Sequence, residues 1–255
     1  MTLPEERELS QKTQELHRLE TELAERELTL ATLQAQVRDF EQGYLCRVGR
    51  LYAALDEVTA ELAALELREH PGSAEFERAA HESRARAERS AQEAAEAREE
   101  RGKPLFKASL ELSKLYRMLA KLAHPDLCAE PKDRERRTRF MAEVNGAYQA
   151  GDEARLRALL EEWQASPEAV EGNDLGSQLV RTIRKIAQVQ RRLAEIDEAI
   201  KAVESSDIGQ LRQRAERLRA AGRDILAEMA AEVEQQLAEA RQILSGRRGG
   251  IGDGT

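Results

Sequence analysis

The sequence predicts an all-α protein, with long coiled-coil helical hairpins flanking a small antiparallel helical unit. Three observations predict it. The composition is dominated by Ala, Glu, Leu, Arg and Gln, with 35% charged and only 4% aromatic residues. An apolar residue recurs every seventh position through the first long segment. Breaker residues then cut the remaining chain into helix-length pieces. The residue mix is the one that long helices and coiled coils use. With so few large side chains, burial falls to narrow seams between helices.

The repeat reads Leu9, Leu16, Leu23, Leu30, Val37, Tyr44, Leu51, Val58 and Leu65. Leu19, Leu33 and Phe40 fill a companion position three residues on, which Arg26 and Arg47 interrupt. Beyond Tyr44 the companion moves to four residues on, at Val48, Leu55 and Leu62. Such a repeat keeps one stripe facing a partner helix and imposes a left-handed supercoil. Gly43 and Gly49 are weak points at which the helix is expected to bend. His70-Pro71-Gly72-Ser73 ends it, because Pro71 disfavours helical geometry at His70 and Gly72 permits a turn. A return helix from about Ala74 to Arg101 makes residues 1–102 an N-terminal coiled-coil hairpin, closed by Gly102-Lys103-Pro104.

Residues 103–165 hold most of the remaining aromatics and the single tryptophan, which predicts a compact unit. Ser166-Pro167 closes it and Glu171-Gly172-Asn173-Asp174 is a polar linker. A C-terminal hairpin is expected over 166–245. Its first stripe is Leu179, Ile183, Ile186, Leu193, Ile196, Ile200 and Val203. A capped turn at Ser205-Ser206-Asp207-Ile208-Gly209 leads to a second stripe, Leu211, Leu218, Ile225, Met229, Val233, Leu237 and Leu244. Residues 246–255, rich in glycine, are expected to be a disordered tail.

Length suits one large domain or two modest ones. The net charge of −8 argues against a nucleic-acid partner, since neutralising phosphates takes a basic surface. No run of about 18 apolar residues predicts a membrane span, and the acidic start at Glu5 and Glu6 does not read as a signal peptide. Cys46 and Cys128 lie far apart with no CxxC pair, so reduced thiols in the cytoplasm are expected rather than a disulfide or zinc site. No phosphate-binding glycine loop, GxSxG or Cys/His ligand spacing is present. An enzyme, a metal and a cofactor are therefore not expected.

Function concentrates between Leu112 and Tyr148. Leu115, Leu119 and Leu122 share one helix face, with Leu112 nearby, while Lys114, Arg117 and Lys121 form a stripe roughly opposite. His124-Pro125-Asp126 stops the helix and opens a loop. A second helix is expected from Asp133, its packing face formed by Phe140, Val144, Ala147 and Tyr148. Two antiparallel helices then carry the His-Pro-Asp loop at one end. From Lys114 to Arg139 there are eight Lys/Arg and four Asp/Glu, a basic island that suits an acidic protein partner. The plainer reading of the tripeptide is a helix-ending turn in which His124 and Asp126 act as caps.

This segment resembles the J-domain of DnaJ-type co-chaperones. Leu112 to Asp126 is similar to the family's second helix and its tripeptide, and Phe140-Met141-Ala142-Glu143-Val144-Asn145-Gly146-Ala147-Tyr148 to its third helix. The resemblance covers about fifty residues. It implies docking on a DnaK-type chaperone and stimulation of its ATPase. Lys114, Arg117 and Lys121 would supply electrostatic contacts, and His124, Pro125 and Asp126 the activating contact. Leu115, Leu119, Leu122, Phe140, Val144 and Tyr148 would form the core of the J-like unit. The family's usual first helix is absent, and Leu105 and Phe106 are expected to patch the core in its place. Its zinc and Gly/Phe-rich client regions are missing too, which leaves the coiled coils to select a client protein or complex. Two further possibilities stay open: a homodimer through the N-terminal seam, and an adaptor that keeps the J-like fold without chaperone coupling.

Overall fold

The computed structural model describes residues 4–100, 106–127, 131–164 and 175–250. Among these residues the chain is all-α, with no strand. In order, the helices are α1 (Pro4–Tyr44), a π-helical turn (Leu45–Gly49), α2 (Arg50–Glu69) and α3 (Ala74–Glu100). Then come α4 (Leu110–Ala123), a short 3-10 turn (Pro125–Leu127), α5 (Pro131–Gln149), α6 (Glu153–Gln164), α7 (Leu175–Ser205), α8 (Asp207–Ala220) and α9 (Ile225–Gly250). None of the described helices is long and apolar enough to cross a membrane.

The chain divides into two compact units, Met1–Val37 with Leu105–Ser206 and Arg38–Pro104 with Asp207–Thr255. These boundaries cut across the expected segments 1–102, 103–165 and 166–245. The reason lies in where each part of the seven-residue seam finds its partner.

In the first unit α1 uses two faces. Leu16, Leu19, Leu23 and Leu30 pack with Ile186, Val189 and Ile196 of α7, and Leu127 joins this seam from the loop after α4. Ala24 and Ala31, with Leu28 beside them, turn instead toward the cluster formed by α4, α5 and α6. The small alanine side chains let the helix approach that cluster closely. Arg26, expected as an interruption of the seam, lies at the surface 3.5 Å from Asp197.

In the second unit Val58 and Leu65 of α2 meet Leu237 and Leu244 of α9. Val48, fully buried in the π-helical turn, packs with Ile225, Leu226 and Val233. The π turn falls where the sequence shifts its companion position from three residues to four. A single extra residue in the turn realigns the stripe, so the weak point set by Gly43 and Gly49 is expressed as a change of helical pitch. The α2–α3 turn is as expected, with Gly72 at φ +87° and His70 stacked on Phe76 at 4.5 Å.

Three expectations in the C-terminal part need correction. The second stripe is not one helix: α8 and α9 are separated at Ala221-Gly222-Arg223-Asp224. Gly222 adopts φ +77°, and Asp224 Oδ1 accepts hydrogen bonds from the backbone N–H groups of Leu226 and Ala227. A left-handed glycine followed by an Asp cap is a helix stop and start, a signal present in the sequence. The break between α7 and α8 is shorter than expected, with Ser206 alone between them. The tail expected to be disordered is helical to Gly250, where Arg247 and Arg248 pair with Glu66 and Glu61 at 3.0 and 2.7 Å. Residues 251–255 lie outside the described residues, as do Gly102-Lys103-Pro104, Leu105, Cys128, Ser166-Pro167 and the 171–174 linker.

Candidate functional site

Helix α4 begins at a Ser109 cap, whose Oγ accepts from the Leu112 N–H at 2.9 Å. It ends at His124, whose extended backbone (ψ 132°) is the geometry that a following proline enforces. Helix α5 starts at Pro131 rather than Asp133. Proline suits a first helical position because its missing N–H would have no partner there. Helix α6 is capped by Asp152, whose Oδ1 accepts from the Arg155 N–H at 2.8 Å.

The three helices enclose one core. Leu115, Leu119, Val144 and Tyr148 are buried in it, joined by Leu112, Tyr116, Met141, Leu156 and Leu159. Phe140 is half-buried and packs at the margin, its ring 4.8 Å from Trp163. Phe106 lies 5.2 Å from the Tyr148 ring and patches the core as expected. Tyr116 donates to Asn145 Oδ1 at 2.7 Å, which ties α4 to α5 inside the core. Leu122 is the one expected core residue that fails: it is 43% exposed. The buried arc of α4 runs from Leu115 through Leu119 and Ala123 to Ala120, and Leu122 falls about 20° outside it on the helical wheel. With Leu110, Lys114 and Met118 it forms an outward row at four-residue spacing.

The His-Pro-Asp loop is not presented to solvent as an exposed tip. His124 is 2% exposed. Its Nδ1 accepts the backbone N–H of Asp126 at 3.2 Å, which places the ring proton on Nε2. Nε2 donates to Glu27 Oε1 of α1 at 2.9 Å. The same oxygen accepts from Arg192 of α7, at 2.9 Å from Nε and 2.8 Å from Nη2. One buried carboxylate oxygen therefore ties together three segments of the chain. Burial pushes the Glu27 carboxyl up, but the His124 hydrogen bond and the Arg192 charge outweigh it and hold the group below its usual range. Asp126 is partly exposed and faces Arg134 at 3.4 Å, and Pro125 is half-buried.

The basic stripe also faces α1. Arg117 lies 3.5 Å from Glu25. Lys121 acts on Glu20, whose carboxyl burial raises above its usual range despite opposing charges from Lys185, His17 and Lys121. Lys114 is exposed. Behind the loop, Arg137 Nη1 donates to the carbonyl oxygen of Leu122 at 3.1 Å, and its guanidinium sits 5.1 Å from the Trp163 ring centre.

Sequence reasoning missed Glu27, Arg192 and Arg137. For Glu27 a signal existed: it stands four residues after Leu23 and three before Leu30, on the apolar face of α1. A carboxylate there calls for a buried partner. No comparable signal marks Arg137, which reads as part of a charged helix start. Among the described residues no group of His, Cys, Asp or Glu is arranged to hold a metal ion. Comparison with known proteins finds no matching family model, no matching curated protein and no matching solved structure.

Proposed function

We propose that this protein is a J-domain co-chaperone that docks on a DnaK-type chaperone and stimulates its ATPase. The observation that carries the reading is the α4–loop–α5 arrangement. Two antiparallel helices share a core locked by Tyr116 and Asn145, and they hold His124-Pro125-Asp126 at one end beside the Lys114, Arg117 and Lys121 stripe. The basic stripe suits an acidic docking surface, because complementary charge speeds encounter and fixes orientation. Bond chemistry would belong to the partner. The coiled coils would select the client.

Single-turnover ATP hydrolysis by a DnaK-type chaperone tests this, with wild type and Asp126→Asn at saturating concentration. Acceleration by wild type and its loss in the variant are the expected outcome. A second reading, an adaptor that keeps the J-like fold without chaperone coupling, draws support from the burial of His124. It predicts no acceleration by either protein while both stay folded.

A further inference from the structure

Three carboxylates of one α1 stretch stand against three docking elements of the J-like unit. Glu25 faces Arg117 at 3.5 Å, Glu20 lies within the field of Lys121, and Glu27 Oε1 accepts a hydrogen bond from His124 Nε2 at 2.9 Å. Glu20 and Glu27 are one heptad apart, so they fall on the same side of a supercoiled helix. The leucine seam that places them is completed by α7, and α7 also supplies Arg192 to the Glu27 carboxylate. The residue after the tripeptide, Leu127, is itself sunk into that seam. The loop is thus held from both sides, by a charge cluster and by an apolar anchor.

This pattern is what an acidic partner helix would present to the basic face of α4. We propose that α1, buttressed by α7, is a built-in mask over the docking elements, and that the chaperone-competent state is one in which the Glu27–His124–Arg192 clamp has opened. The inference rests on the co-chaperone reading above and adds its regulation. The outward row Leu110, Lys114, Met118 and Leu122 stays exposed in the closed state and gives a partner its first foothold. Displacement of α1 then frees Arg117, Lys121 and His124. A client that engages α1 or α7 would open the same clamp, which couples client capture to chaperone recruitment.

The affinity cost of a closed state is the inverse of the open fraction. Open minor states of this kind are populated at roughly 0.1–10%. Removing the clamp therefore lowers the concentration giving half-maximal ATPase stimulation by about 10- to 1000-fold.

The test uses the full-length chain as wild type, Glu27→Ala and Arg192→Met. Arg192 is one-third exposed, so its replacement leaves a folded protein even if Glu27→Ala does not, and circular dichroism checks both. Amide hydrogen exchange at Asp126 and Leu127 reads the loop directly, while titration of a DnaK-type ATPase reads docking. Faster loop exchange together with a lower half-maximal concentration in the variants is the expected result. Equal potency of wild type and variants, with loop exchange accelerated in the variants, overturns the mask and leaves the co-chaperone reading intact. No acceleration by any of them, in an assay where a general DnaJ-type protein is active, overturns that reading and the mask with it.

Discussion

Glu27 and His124 lie 97 positions apart in the sequence and meet across 2.9 Å, with side chains only 6% and 3% exposed. Arg192 completes the group from a third segment. Removing one partner of a buried charge group leaves the others without compensation, and the three residues differ in what they leave behind. His124→Ala strips the carboxylate of a donor and opens a void, so a loss of about 3–5 kcal/mol is expected. Arg192→Met leaves the His124 hydrogen bond in place and should cost less. Urea denaturation followed by a probe in the first unit measures both; equal losses would mean that Arg192 supports Glu27 as strongly as His124 does.

The pH dependence follows from the lowered Glu27 carboxyl, which faces His124, Arg192 and the Tyr116 ring. Its ordinary value is 4.5 and its folded value lies below that. A carboxyl held low in the folded state contributes stability that is complete above the ordinary value and is lost as pH falls through the folded one. The stability difference between wild type and Glu27→Gln should therefore shrink as the pH falls below the ordinary carboxylate value of 4.5. Urea titrations of the two proteins across this range check it. A difference that grows as the pH drops would contradict the assignment.

The core boundary on α4 gives a sharper contrast. Leu119 is fully buried and Leu122 is 43% exposed, although both are leucines of one helix. Leu119→Ala should cost about 2–5 kcal/mol through lost burial and a cavity, whereas Leu122→Ala should fall within about 0.5 kcal/mol of wild type. Thermal unfolding of the pair distinguishes them. If the proposed co-chaperone function holds, the order should reverse in ATPase stimulation among folded variants, because the exposed Leu122 would belong to the face that a partner meets first.

These contrasts mark how far the sequence could be read. The seven-residue repeat, the α2–α3 turn, the packing face of α5 and, apart from Leu122, that of α4 are local signals, and each is found in the structure. The partners of the repeat were not legible. Leu23 and Val58 carry the same pattern, yet Leu23 packs in the α7 seam and Val58 in the α9 seam. A heptad specifies that a partner helix exists without naming it. Leu122 was misplaced because a leucine at the edge of an apolar arc satisfies the pattern equally well inside or outside. The burial of His124 was hidden for another reason: it depends on a carboxylate and a guanidinium far away in the chain, and sequence spacing carries no distance between such groups. Gly222 and Asp224 differ, since their stop-and-cap signal stood in the sequence and was overridden by the continuous apolar stripe around it.

That stop supplies the last prediction, one confined to the second unit. Asp224 does two things. Its Oδ1 caps α9 through the Leu226 and Ala227 amides at 3.1 and 3.2 Å, and its carboxylate bridges to Arg47 in the π-helical turn at 2.8 Å. The bridge is exposed on both sides, so it should contribute at most about 1 kcal/mol. Loss of the cap costs typically about 1 kcal/mol. Asp224→Asn keeps an oxygen that can accept both amides but removes the charge, whereas Asp224→Ala removes both. Asp224→Asn should thus lose only the salt-sensitive part, and 1 M salt should bring wild type close to it, because the Debye length falls to about 3 Å. Asp224→Ala should remain destabilised at all salt concentrations. Thermal melts of the three proteins at low and high salt separate the cap from the bridge. A wild-type stability that is indifferent to salt would assign the whole effect of Asp224 to the start of α9.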